Sequence, residues 1–503
     1  MAESSLRGQL RQALRENELL RAENGSLREQ NEALRAQMAQ SLEEVELLRG
    51  KVERLEERLK ADSSTTGKPP SSDPIGPRKK RAERRAEARA EKRRQGKQPG
   101  APGANLGRRE PDVVVPHKPP LCQSCGADLS GAEVVGKVVR QVIDLPPVKP
   151  VVTDHISYRL RCTCGCETFA GFPPEARAPV CFGPEVRAFA AYLLGRQHLP
   201  VERTAELLED LLGVKVSTGW LCALQAEAAR RLGPFLSWLR ERLAGEPVLY
   251  ADETGTAVGT TKHWAHTVTT NLFTLIAVHP RRGFEALRDI GVLALYAGTV
   301  VHDGYAPYDL LSGAKHAQCN VHALRHLKSV AQAEVFAPWA TKMTGVLMDA
   351  KVASEAAASA GRPAVDAGRA AAVRAAYHQA LDEIFALLPA GPPPRRKAKP
   401  RWSEAQRKAW NLASRLRKDA DQFLRCLEDT RVGWDNNRAE RALRMVKIHD
   451  KISGPFHNLA SAEAFAAERS YLQTAASHGQ NLLDVMRQLF TVGPWNPGPA
   501  VPG

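Results

Sequence analysis

Three carboxylates stand where an acid can do chemistry. Asp252 closes the apolar run "PVLYA" and Asp303 closes "GTVVH", two stretches that read as buried strands. Glu440 lies in "GWDNNRAERALRMVK", at the opening of a helix. An acid ending a buried strand must be hydrogen-bonded, paired or metal-bound, because an unpaired carboxylate there is costly or neutralises. Two such acids on neighbouring strands, joined by a third from a helix, would complete a site for two Mg²⁺ ions about 3.5–4 Å apart, as in-line phosphoryl displacement requires. Few protein ligands are needed, since waters and substrate phosphates fill the other places.

The neighbouring residues leave alternatives open. Asp303-Gly304 is also a common turn pair, and Asp252 could be a strand-ending turn acid. Glu253 points away from Asp252 if the strand continues. Asp435 competes with Glu440 as the third acid, although Asp435, Asn436 and Asn437 also suit a helix N-cap. Arg441, Arg444 and Lys447 recur at three-residue steps along one side of that helix, to hold phosphates or to pair with exposed acids. Cys319-x-x-His322, with His316 nearby, has the outline of half a zinc site; on a helix it reads as a packed cysteine and a polar histidine close to the active site.

These residues need a frame. "EPVLYADETGTAV", "HWAHTVTT", "LFTLIAVHP" and "GTVVHDGYAPYDLL" read as strands of one sheet; a long helical stretch follows, and the Glu440 helix arrives last. Upstream, Pro184 to Leu232 is helical, with a turn at Gly213 to Val216 and a second helix capped by Ser217 or Thr218, the outline of a helix-turn-helix. Further upstream, Cys122-x-x-Cys125 and the group Cys162, Cys164 and Cys166 resemble two knuckles that supply four thiolates to one structural zinc. Cys162 and one of Cys164 or Cys166 complete that set, and Lys137 to Leu160 reads as zinc-ribbon strands.

The front of the chain differs in kind. From Leu6 to Leu59 one heptad series runs Leu6, Ala13, Leu20, Leu27, Leu34, Ser41, Leu48, Leu55, and the other includes Asn17, Asn24 and Asn31, which suits a parallel dimeric coiled coil. A Pro/Gly/Ser-rich linker follows, then a tract beginning Arg78, Lys79, Lys80, Arg81 with 11 Lys/Arg against 3 Glu up to Lys97. With a formal charge of +15 over 503 residues, this tract suits sequence-blind contact with phosphates. No secretory signal or membrane-length apolar run is present, so a cytoplasmic protein with no membrane partner is expected, its cysteines bound to metal rather than paired.

Taken together, "DET", "HDGYAPY", "CNVHALRHL" and "DNNRAERALR" resemble the DDE transposases of the insertion sequence 66 family. The likeness extends to "GKPPSSD", "GKQPGAPG", the cysteine knuckles and "SYLQTAASHGQN", and spans about Ser63 to Leu489. It implies a ribonuclease H-like core with Asp252, Asp303 and Glu440 as metal-binding acids, two Mg²⁺ (or Mn²⁺) ions per active site, and cleavage and strand transfer at transposon ends. The chain departs from the family pattern in its irregular second knuckle and its longer basic tract.

The expected architecture is a multidomain α+β protein. A coiled coil covers 1–62, a basic linker 63–110, a zinc-ribbon-like β domain 111–180 and a helix-turn-helix-like domain 181–245. A ribonuclease H-like α/β catalytic core covers 246–490, with an α-helical insertion at about 330–430, and a tail covers 491–503. The expected partners are DNA, a second copy of the chain and small accessory proteins. Competing functions are a DNA-binding regulator with an inert nuclease core, and a ribonuclease H-like nuclease or resolvase.

Overall fold

The computed structural model of the chain describes residues 107–146, 148–393 and 402–498, with scattered positions between 23 and 48. Of the heptad segment, Gln37 to Val45 is helical and exposed, and most of the expected coiled coil lies outside the described residues. So does the tract Arg78, Lys79, Lys80, Arg81.

Five strands form the central sheet: β3 (Val248–Val258), β4 (Thr261–Thr269), β5 (Thr274–His279), β6 (Thr299–His302) and β7 (Lys315–Gln318), in the order β5-β4-β3-β6-β7. The first three are antiparallel neighbours, whereas β6 and β7 run parallel to β3. Side chains alternate across β3. Leu249 and Ala251 join a core shared with helices α1 (Pro184–Gly195), α2 (Val201–Leu212), α3 (Thr218–Arg231) and α4 (Gly233–Ala244). Val248 and Tyr250 face the other way, onto Val301, Ala317 and Ala439.

That second face is covered by the helix carrying Glu440. After α5 (Phe284–Ile290), α6 (Asn320–Val330), α7 (Ala337–Ser359), α8 (Ala367–Leu387) and α9 (Glu404–Lys418) comes α10 (Asn437–Ile452), whose Leu443 and Val446 pack on Val258, Ala265 and Ile276. Helices α11 (Leu459–Ser477) and α12 (Leu482–Thr491) then return to the first core through Tyr471, Leu472, Met486 and Leu489. Helices α6 to α9 have a core of their own, around Trp339, Met343, Leu347, Tyr377, Leu381, Leu416 and Phe423. The chain between β7 and α10 is therefore a separately packed body inserted between the last strand of the sheet and the helix that covers it.

Helices α2 and α3 meet where the turn residues predict. Gly213 ends α2 at φ 63°, and the hydroxyl of Ser217 accepts a hydrogen bond from the Trp220 N–H at 3.1 Å, so Ser217 is the cap.

The cysteine region corrects an expectation. Of the stretch Lys137 to Leu160, read as ribbon strands, only its end is a strand: β1 (Arg159–Arg161) pairs with β2 (Glu167–Phe169). Val135, Val138, Val142, Val151 and Val152 remain exposed. Strand propensity is realised only against a ladder and a covering layer; Pro146 and Pro150 have no N–H to give a ladder, and among the described residues no apolar layer lies over these valines.

Candidate active site

The sheet brings two of the acids side by side. Tyr250 on β3 is level with Val301 on β6; Asp252 and Asp303 each lie two residues past this last pair, and both line one cleft. Asp252 Oδ1 accepts a hydrogen bond from the Glu253 N–H at 2.9 Å. Burial and the carboxylates of Glu253, Asp303 and Glu440 push its carboxyl well above the usual carboxylate range.

Asp303 begins a tight turn held from several sides. Its Oδ1 accepts from the Tyr305 N–H at 2.9 Å, and the Gly304 N–H donates to His302 Nδ1 at 3.0 Å. Gly304 sits at φ +84°, and a Cβ there would collide with the Arg415 guanidinium and the Gln318 side-chain oxygen. Arg415, from α9, donates from Nη2 to the Asp303 carbonyl oxygen at 2.8 Å and to Gln318. The helical body between β7 and α10 thus clasps the turn that carries Asp303.

Glu440 comes from the first turn of α10, and the residues leading into that turn are tied to β3 directly before Asp252. The Gly433 N–H donates to the Tyr250 hydroxyl at 2.8 Å, and the Asn436 side-chain amide donates to the Ala251 carbonyl at the same distance. Asp435 is spent on its own turn: its carboxylate accepts from the Asn437 N–H at 3.0 Å and the Asn437 amide at 2.8 Å. Glu440, by contrast, lines the cleft together with Asp252 and Asp303. Its Oε1 is buried without a hydrogen-bond partner, and its nearest cations are Arg325 at 3.7 Å and Arg444 at 3.9 Å.

The cleft encloses about 790 Å³, and its cationic rim includes Lys262, Arg282, Arg325, Arg444 and Lys447. Of the residues at three-residue steps on α10, Arg444 and Lys447 line it, whereas Arg441 is exposed outside the lining. A helix turns about 100° per residue, so Arg441, directly after Glu440, leaves the face that Glu440 and Arg444 share.

Glu253 faces away from α10, as strand alternation requires. Arg282 donates to its Oε1 from Nε and Nη2 at 3.0 and 2.8 Å, and the Tyr308 hydroxyl donates to Oε2 at 2.8 Å. Arg282 also stacks on the Tyr305 ring at 3.8 Å. Asn436, a cap candidate by residue type, makes no side-chain cap bond and instead spends its amide on Ala251, while nothing local in the sequence signals Arg282 or Arg415 as supports. Each is polar and far along the chain from the acid it serves.

Cys319 and His322 enter the same site. Cys319 Sγ accepts the Asn436 N–H at 3.2 Å, and His322 Nε2 lies 3.8 Å from Glu440 Oε1. Cys319, His322 and Glu440 place ligand atoms within 4.8 Å of one another, the one such group of three among the described residues. Asp252, Asp303 and Glu440 are spread more widely than this around the cleft. A carboxyl crowded by other acids and an orphaned Glu440 oxygen nevertheless form a donor set that a hard divalent cation suits.

The two cysteine turns are alike. The Gly126 N–H donates to Cys122 O at 2.9 Å and the Gly165 N–H to Cys162 O at 2.9 Å, with φ of 76° and 87° at the glycines. N–H groups of Cys125 and Ser124 point at the Cys122 sulfur, and the Cys164 N–H and side chain at the Cys162 sulfur, lowering both thiols. Cys164, followed by glycine as Cys125 is, reaches Cys162; the Cys166 carbonyl accepts the Cys162 N–H at 2.8 Å. The turns stand apart, since no group of three thiols among the described residues lies within 4.8 Å.

Comparison with known families matches these regions. The model described as "Transposase IS66 family" covers residues 179–464, more than half of the chain. A model for the zinc-finger binding domain of transposase IS66 covers residues 119–166, and one for a family of unknown function covers 10–107. No curated protein matches. Among the described residues, no helix is long and apolar enough to cross a membrane.

Proposed function

This chain belongs to the IS66 transposase family, and from that premise we propose that it binds transposon ends and catalyses metal-dependent DNA cleavage and strand transfer with Asp252, Asp303 and Glu440. The observation that carries this reading is that these acids, from β3, from the end of β6 and from α10, open into one cleft with a cationic rim. The sheet order, three antiparallel strands followed by two parallel ones, supports a ribonuclease H-like core.

Asp252, Asp303 and Glu440 would hold two Mg²⁺ or Mn²⁺ ions, which when bound activate the attacking water or 3′-hydroxyl and stabilise the leaving oxygen. The protein's own part is placement. Tyr305, Arg415 and Asn436 hold the acids, and Arg444 and Lys447 offer charge to the phosphates of the scissile strand. A regulator with an inert core would not need three acids gathered at one cleft.

The remaining parts take supporting roles. Cys122, Cys125, Cys162 and Cys164 are the proposed ligands of one structural zinc, which would draw the two turns together. Helices α2 and α3 and the tract from Arg78 to Arg81 would contact the terminal repeats, and the heptads from Leu6 to Leu59 would pair two copies.

The deciding experiment incubates the purified protein with Mg²⁺ and DNA bearing the element's ends. Nicking and joining are expected, and Asp252→Asn, Asp303→Asn and Glu440→Gln should each abolish them in a folded protein. Full activity in all three variants would overturn the assignment.

A further inference from the structure

Resting on the acid-site reading above, we propose that His322 and Glu440 form a mixed nitrogen and oxygen subsite for a divalent transition-metal cation, occupied by the guanidinium of Arg325 when no metal is bound. His322 rises from the first turn of α6 and is 8% exposed. Its Nε2 lies 3.8 Å from Glu440 Oε1 and 3.2 Å from Arg325 Nη1, while its Nδ1, on the other edge of the ring, is buried without a hydrogen-bond partner. Glu440 Oε1 is an orphan as well. Two donors of different chemistry therefore converge without satisfying each other.

What lies between them is a positive charge. Arg325, one helical turn beyond His322, places Nη1 3.2 Å from His322 Nε2 and Nη2 3.7 Å from Glu440 Oε2. Its position marks where the His322 Nε2 lone pair is aimed, beside the Glu440 carboxylate. Arg325 is a quarter exposed at its side chain and lines the cleft, so a metal ion can displace it toward the phosphates of bound DNA. Cys319 completes the cluster geometrically, but its sulfur already accepts the Asn436 N–H, which leaves His322 and Glu440 as the ligating pair.

The ligand types set the preference. Carboxylates and water alone suit Mg²⁺, whereas an imidazole nitrogen shifts a site toward transition metals. The subsite therefore favours Mn²⁺ over Mg²⁺ more than three carboxylates would.

The test uses the full-length, zinc-loaded protein without DNA and follows Mn²⁺ by electron paramagnetic resonance. Wild-type protein should show spin-echo modulation from a directly bound imidazole nitrogen, and incorporation of ¹⁵N-histidine should shift it, a readout that needs no substitution. His322→Gln should lose the modulation and bind Mn²⁺ roughly tenfold more weakly, while Arg325→Gln should bind it more tightly. Absence of nitrogen modulation in the wild type, its persistence in His322→Gln, or unchanged Mn²⁺ affinity in that variant would each overturn the subsite. Asp252→Asn separates the two layers of the argument. Weaker Mn²⁺ binding there, with wild-type binding in His322→Gln, removes the subsite alone; wild-type binding in Asp252→Asn removes the acid-site reading and the subsite with it.

Discussion

The side-chain amide of Asn436 donates a 2.8 Å hydrogen bond to the carbonyl oxygen of Ala251, the residue directly before Asp252. One side chain thus couples the strand that carries one acid to the helix that carries another. Asn436→Ala should remove this tie at a cost of about 1–3 kcal/mol, because a buried carbonyl loses its donor. A misplacement of about 1 Å at the reacting groups costs on the order of a hundredfold in rate. Urea unfolding and strand-transfer assays measure the two effects, and an unchanged rate would show that the tie does not position the acids.

Asp435 and Glu440 open the same motif but should behave differently. Asp435 accepts two hydrogen bonds from Asn437, so Asp435→Asn should keep measurable cleavage at reduced stability. Glu440→Gln should keep stability and lose cleavage. The reverse pattern in paired activity and melting measurements would exchange their roles.

Gly304 tests the clasp from the helical body. Gly304→Ala forces a Cβ into φ +84° and against Arg415, at a cost of roughly 1–3 kcal/mol. Cleavage should fall with little change in DNA affinity, since the Asp303 turn moves and the cationic rim does not. Equal losses of affinity and cleavage would contradict this account.

Zinc content should separate the adjacent thiols. Elemental analysis is expected to find about one zinc per chain, lost in Cys122→Ser and Cys164→Ser and retained in Cys166→Ser. Loss in Cys166→Ser with retention in Cys164→Ser would make Cys166 the fourth ligand.

Glu227 on α3 should govern acid stability of the helical region before the sheet. Arg187, Arg231 and Arg177 all reach its Oε1, and although burial opposes them, Arg187 and then Arg231 bring its carboxyl down from 4.5 to about 2. A depressed carboxyl stabilises the fold above its unfolded pKa, and this contribution disappears as pH falls from about 4.5 to about 2. Glu227→Gln should therefore lower the melting temperature at neutral pH by roughly 3 °C or more and flatten the acid limb. Parallel melting curves across that window would refute the linkage.

The sequence by itself determined the family, four of the five strands of the sheet, and a helix start at Ser217 or Thr218, because these are written in local patterns: apolar runs, turn residues and motifs at fixed offsets. The strand β7, four residues long, and the choice of Ser217 as cap came from the structure. The sequence also brought out Asp252, Asp303 and Glu440, but it read Asp252 as closing a strand, whereas β3 runs on through Asp252 to Val258. It misread Lys137 to Leu160 as strands, since valine-rich runs report propensity while a strand needs a ladder partner. Tertiary structure alone decided that Arg441 leaves the cleft while Arg444 stays, and that Asp435 is consumed by its own turn. It also supplied Arg415, Asn436 and Arg282, and set His322 against Glu440 across more than a hundred residues of chain. Such contacts depend on register and packing between distant segments, and no local pattern of residue types encodes a distance between two elements that meet only when the sheet and its covering helices have formed.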